Sequence, residues 1–153
     1  FYWQGVFLGY NLISTNSTTM LPRGLRNHNP LNIKIGNDWK GEVENNTDGV
    51  FEQFTEDKYG YRAAFIILRK YIKKYGRNTI RKIVDSWSPD GRYLQDAYMG
   101  AVSQCTGLSV DTPISFEDKK IMVAIVRGMA KVENGMEVNE IPVCDGYDMA
   151  ARY

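Results

Sequence analysis

Histidine and cysteine are scarce in this chain, and their scarcity removes several kinds of chemistry at the outset. One histidine, His28, and two cysteines, Cys105 and Cys144, are all that its 153 residues hold. A structural zinc site of the usual kind needs four Cys or His ligands at short spacing, so neither a metal nor a cofactor is expected. Two cysteines make no disulfide framework; they pair once, or stay free and buried. A cysteine peptidase using His28 with Cys105 or Cys144 would need the base within hydrogen-bond reach, and usually a helix N-terminus at the sulfur. Cys105 instead falls at a predicted helix C-terminus and Cys144 in a predicted loop. An excess of charge is lacking too. Nineteen Lys and Arg against 18 Asp and Glu leave a net +1, so no nucleic acid partner is expected. No apolar run is long enough to span a bilayer, and there is no internal repeat.

What is present is ordinary in bulk and uneven in detail. The length suits one domain with a real core. Aromatics make up 12%, with ten Tyr and three Trp, which permits sugar stacking as well as core filling. Residues 1–12 are apolar and aromatic without charge, and residues 14–19 are polar. This opening lacks the basic start and cleavage site of a complete signal peptide. Residues 1–19 read as an extension: a docking arm, a targeting remnant or appended expression sequence. Residues 20–153 read as a single domain.

The densest polar chemistry lies in residues 23–41, RGLRNHNPLNIKIGNDWKG. Asn27, Asn29, Asn32 and Asn37 each carry amide donors and an acceptor, and Arg23 and Arg26 can fork onto carboxylates. Pro30 drives Asn29 out of the helical region. Leu31, Ile33 and Ile35 alternate with Asn32 and Lys34, the pattern of a half-buried strand. A rigid polar turn beside a strand and Trp39 suits an elongated polar ligand such as a glycan. It equally suits an amide-rich loop that satisfies its own backbone. Residues 41–54 read as the second half of a hairpin, with Asn45-Asn46-Thr47-Asp48-Gly49 as a turn. Its acids Glu42, Glu44 and Asp48 would lie near the first strand.

Helical periodicity follows. Residues 61–75 form the first predicted helix, closed by Gly76. Asn78 or Thr79 caps a second, through Trp87. The break Ser88-Pro89-Asp90-Gly91 precedes a third over 92–105, with Leu94, Ala97, Tyr98, Ala101 and Val102 inward. Ser115 opens a fourth, with Asp118 three residues on as a variant capping box. The fold class is therefore α+β, mostly α-helical, with a small β-hairpin. The fourth helix ends in Met129-Ala-Lys-Val-Glu-Asn-Gly135. A carboxyl at Glu133 is carried on a rigid apolar element and faces the unfavourable end of the helix dipole. Both effects raise its pKa, as a general acid requires. A solvated Glu in a fraying last turn is the alternative.

RGLRNHNPLNI, then W-K-G, F-E-Q-F and G-Y-R-A, resembles the opening of phage-encoded, virion-associated lysozyme-like proteins, which begin with a close variant of R-G-I-R-N-N-N-P-G-N-I. The likeness runs from Arg23 to about Ala150 and ends at Glu133-Asn134-Gly135, where relatives carry H-E-N-G. Leu31 stands where Gly is usual, and Lys131-Val132 removes the His. Asn29-Pro-Leu-Asn-Ile-Lys34, Trp39-Lys-Gly41 and residues 51–54 are also similar to the turn, W-x-G and aromatic strand of bacterial glucosaminidases and transglycosylases. There the catalytic Glu comes first; here no acid precedes Asp38. The resemblance therefore implies a circularly permuted lysozyme-like domain whose acid, Glu133, comes last.

It further implies cleavage of peptidoglycan glycan strands, as a lysozyme or a lytic transglycosylase. A second carboxylate would come from Asp38, Glu42, Glu44 or Asp48, or the substrate's N-acetyl group would assist. Asn29, Asn32, Trp39 and Tyr98 would line the cleft. The expected location is a phage virion or the bacterial envelope, with residues 1–19 reaching other virion or envelope proteins. The alternative is a non-catalytic virion or cell-wall-binding protein that keeps the fold.

Overall fold

A computed structural model describes residues 20–88 and 91–153. The extension 1–19, and Pro89 and Asp90 of the expected break, lie outside the described residues. Six helices occur among those described: α1 (Arg23–Arg26), α2 (Asp57–Tyr75), α3 (Ile80–Trp87), α4 (Arg92–Thr106), α5 (Lys119–Asn134) and α6 (Glu140–Arg152).

Local chemistry sets their limits. The Thr79 hydroxyl caps α3 by accepting from the Lys82 N–H at 3.1 Å. In α5 the cap is Asp118, which accepts from Ile121 N–H at 3.3 Å. That moves the helix start from the expected Ser115 to Lys119; the Ser115 hydroxyl donates to Glu117 instead. The first long helix starts at Asp57 rather than Tyr61. Cys144, expected in a loop, lies within α6, a helix that the sequence pattern did not assign. Asn139 caps it by accepting from Ile141 N–H at 3.0 Å. Pro142 lies in its first turn, where a missing N–H leaves no helical bond unmade.

The core is helix on helix. α5 is its axis, packing against α1, α2, α4 and α6. Met122, Ile125, Val126 and Met129 on α5 are wholly buried. The α2–α6 crossing is tight because Gly146 has no side chain: a Cβ there would stand 2.5 Å from the Cβ of Tyr61. Next to it Tyr147 stacks on Phe116, meets Phe65 edge-on, and donates its hydroxyl to the Phe116 carbonyl at 2.7 Å. Of the inward positions expected on α4, Tyr98 and Val102 are buried while Ala97 is exposed.

The segment between α1 and α2 departs from the expected hairpin. No regular strand forms among the described residues; there are two isolated antiparallel bridges, Lys34 with Phe51 and Glu42 with Phe54. The physical reason is Asn32, whose φ of 53° lies in the left-handed region. An extended run cannot pass through that residue. Leu31, Asn32 and Ile33 are consequently all buried, and Ile35 is 47% exposed, so the expected in-and-out alternation is lost. The turn at residues 45–49 is formed as expected. The Asn46 Oδ1 accepts from the N–H groups of Asp48 and Gly49.

Candidate functional site

The last turn of α5 is buried at Val132, Glu133 and Asn134, whereas Lys119 and Lys120 at its start are exposed. Glu133 and Asn134 are 1% and 0% exposed, and Gly135 at φ 70° ends the helix immediately behind them. The Glu133 carboxyl accepts two hydrogen bonds from neutral groups. Asn32 Nδ2 donates to Oε1 at 2.9 Å and the Tyr98 hydroxyl to Oε2 at 3.1 Å. The left-handed turn at Asn32, tolerable for an asparagine, accompanies the aiming of its amide at the carboxyl. Asn134 ties α5 to the same loop, its Nδ2 donating to the carbonyls of Pro30 at 2.7 Å and Ala130 at 2.8 Å. Trp87 of α3 donates to the Leu31 carbonyl at 3.3 Å. Gly24 closes the pocket from the α1 side: a Cβ there would lie 2.6 Å from Asn134 Oδ1 and 3.0 Å from Asn32 Oδ1. The Arg-Gly of the opening motif and the Glu-Asn-Gly at the end of α5 are thus one packed unit.

Burial pushes the Glu133 carboxyl up to about 8, against the smaller opposing effect of its bonds from Asn32 and Tyr98. The group therefore holds its proton at neutral pH. The Tyr98 phenol is pushed well up by burial and then by Glu133 beside it. Three of the residues singled out in the sequence, Glu133, Asn32 and Tyr98, are brought into direct contact.

The others are placed differently. Asn29 is fully buried and committed to the backbone: Nδ2 donates to the carbonyls of Ile33 and Glu52, and Oδ1 accepts from Ile33 N–H. It pins the turn. Asp48 is gripped by Arg23, whose Nε and terminal nitrogen donate at 2.8 and 2.7 Å. Asn27 Nδ2 and the N–H groups of Val50 and Phe51 also donate to it. The Arg23 guanidinium holds its carboxyl well below the usual carboxylate range, with those further bonds acting the same way and burial opposing.

Asp38, Glu42 and Glu44 line a cleft of about 430 Å³ to which Glu133 does not contribute. A fourth acid, Glu52, lines it as well, and sequence reasoning passed it over. It sits between Phe51 and Gln53 in an apparent strand and is only 4% exposed. Burial and then the neighbouring Glu42 raise its carboxyl to about 7. A glutamate inside an aromatic run was the signal that could have found it. Trp39 is half-buried in an adjoining cleft of about 450 Å³ with Arg62, Ile66 and Tyr153, and its indole N–H has no acceptor among the described residues.

Both cysteines are free, Cys105 exposed and Cys144 half-buried. His28 pairs with Asp57 at 2.7 Å, and burial with Glu140 nearby raises the Cys144 thiol. Neither cysteine bonds to His28 among the described hydrogen bonds. Among the described residues, no three His, Cys, Asp or Glu converge as metal ligands, and no helix is long and apolar enough to cross a membrane.

The class defined by these features is a mostly helical domain whose central helix ends in a buried carboxyl bonded by an amide and a phenol. No family model matches the chain. It is 38% identical over 117 residues to Protein P5 of Pseudoalteromonas phage PM2, a match covering 74% of this chain and 71% of that protein. The chain belongs to the family of that phage protein.

Proposed function

We propose that this protein cleaves the glycan strands of peptidoglycan, with Glu133 as the general acid. The observation that supports it most is a neutral carboxyl at a helix end, oriented by Asn32 and Tyr98. As the glycosidic bond breaks, the Glu133 proton passes to the leaving oxygen and positive charge develops on the sugar ring. Addition of water completes a lysozyme reaction; internal attack by a sugar hydroxyl completes that of a lytic transglycosylase. Asp48 is held in an ion pair, so Asp38, Glu42 and Glu44 remain the candidate partner carboxylates, with assistance by the substrate's N-acetyl group as the other route. The lysozyme-like, circularly permuted fold belongs to the same reading. So does a location in the virion or at the bacterial envelope, which kinship with a phage protein supports. Residues 1–19 would serve contacts with other virion or envelope proteins.

One observation favours a second reading, a virion or cell-wall-binding protein without chemistry. Glu133 is 1% exposed and both its oxygens are already bonded, as in a polar pin of a core.

Clearing of purified peptidoglycan separates the two. Wild type is expected to clear it and Glu133→Gln to be slower by at least about 10²-fold, the low end for acid–base catalysis. Activity is expected to disappear as pH rises through about 8, where the acid loses its proton. No clearing by wild type establishes the non-catalytic reading, and full activity in a folded Glu133→Gln overturns Glu133 as the acid.

A further inference from the structure

Arg62 is a cation without an anion. It is 8% exposed, and among the described residues its guanidinium has no hydrogen bond or ion pair, only the Tyr153 ring beneath it at 4.8 Å. Arg69, two turns along the same helix, shows the usual arrangement: it donates to the Ala150 carbonyl at 2.6 Å. A charge withdrawn from bulk water and left without a counter-charge is costly, and one ring face offsets little of that. Arg62 lines the cleft of about 450 Å³ that also holds Trp39. Ile66, one turn further along α2, shares that face with it. Trp39 and Lys40 reach the cleft from the loop before α2, and Tyr153 from the end of α6. The Trp39 indole N–H is a second donor there without an acceptor among the described residues. Lys40 adds positive charge at the exposed rim, and Asp38 across from it is exposed and not paired with Arg62. Donors and cations thus gather around a space that suits one sugar ring or a short peptide.

We propose that Arg62, with Trp39 and Lys40 beside it, is a binding subsite for the carboxylate of a small polar ligand. A guanidinium presents two parallel N–H groups that match the two oxygens of a carboxylate, and the Trp39 and Tyr153 rings offer flat faces to the rest of the ligand. The source of the carboxylate rests on the glycan reading above. In peptidoglycan it is carried by the lactyl group of N-acetylmuramic acid or by the peptide attached to that group. Arg62 takes no part in bond cleavage. It would tell the acidic sugar of the strand from the neutral one, and so fix the register in which the strand lies on the protein.

The test is an NMR titration that follows the Trp39 indole N–H signal, assigned by its loss in Trp39→Phe. Three probes are used: N-acetylmuramic acid, N-acetylglucosamine, which lacks the lactyl carboxylate, and alanyl-alanine, a carboxylate without a sugar. At least one of the two acids is expected to bind with a Kd on the order of 10⁻³ M. N-acetylglucosamine is expected to bind at least about tenfold more weakly, the low end for a hydrogen bond to a charged group. Tighter binding of the sugar acid assigns the lactyl group, and tighter binding of the dipeptide assigns the peptide. Arg62→Met is expected to weaken the acids at least about tenfold while Tm holds or rises, because an unpaired buried charge is removed. Where Arg62→Met does not fold, Lys40→Gln at the exposed rim decides, with an expected weakening of about threefold. No shift with either acid overturns the proposal, as does equal binding of N-acetylglucosamine or unchanged affinity in a folded Arg62→Met. Clearing of peptidoglycan without carboxylate binding removes this proposal and leaves the glycan reading; carboxylate binding without clearing does the reverse.

Discussion

Asp48 and Glu133 are both carboxyl groups held by the same polar stretch of chain, and they end in opposite states. Asp48 faces a guanidinium, an amide and two backbone N–H groups; all of these favour the anion. Glu133 faces one amide and one phenol, inside a pocket that excludes water. The two bonds are insufficient to offset desolvation, and the acid stays neutral. The difference is in the partners and not in the carboxyl. A carboxylate that is fully paired makes a good anchor and a poor proton donor. One held by neutral donors in a dry site is the reverse.

Stability against pH exposes the contrast most strongly. The folded pKa of Glu133 is raised, so its contribution is fully present below about 4.5 and is lost as pH rises toward about 8. The loss is bounded at on the order of 5 kcal/mol by the size of the shift. Glu52, raised to about 7, acts in the same direction. The folded pKa of Asp48 is lowered, so its contribution is present above about 3.8 and is lost on further acidification. Stability to urea is therefore expected to peak near pH 4 to 5. Glu133→Gln should flatten the alkaline side only.

Asp48→Ala comes next in size. It removes the carboxylate that Arg23 grips and leaves the Val50 and Phe51 N–H groups without that acceptor, while Arg23, a third exposed, keeps its place over the Phe51 ring. A loss of about 2 to 3 kcal/mol is expected from denaturant midpoints. Turnover per folded molecule should hold. Loss of turnover in a folded Asp48→Ala would erase the division between anchor and acid. Asn32→Gly keeps the left-handed backbone and removes the amide. It is expected to cost about 1 to 2 kcal/mol and to weaken glycan cleavage more than stability, seen by comparing rates with melting curves. Tyr98→Phe is the mildest, at about 1 kcal/mol. Because the phenol lowers the Glu133 pKa, its removal should move the alkaline limb of the activity profile upward.

The helical part was readable wherever apolar residues kept a 3.6-residue period and a cap stood at the end. Thr79, Gly76 and Gly135 mark such ends, and the helices stop there. α6 was not picked out by its pattern; its Pro142 lies in the first turn and its Gly146 at a helix crossing, where each is favourable. Glu133, Asn32 and Tyr98 stood out as polar groups within an apolar pattern, but the contact that joins them did not. Nor did the duties of Asn29 and Asp48. Whether an amide faces its own backbone, or a carboxylate meets an arginine 25 residues away, is decided by tertiary contact and leaves no mark in local spacing. The strand between Leu31 and Ile35 failed for a similar reason: alternation cannot report a left-handed residue in its middle.

The bond from Asn32 to Glu133 spans 101 positions of the chain, and that from Asn134 to Pro30 spans 104. Closing a loop of that length costs about 2 kcal/mol more in chain entropy than closing one of ten residues. Contacts so distant in sequence form late, after local helices and hairpin turns. During synthesis the amide-rich turn would emerge long before the helix that carries the acid. Until α5 docks, Asn32 has no carboxyl to hold and Glu133 stays in water with an ordinary acidity. The proton-holding pocket therefore exists only once α5 has docked on the turn that precedes it by about a hundred residues.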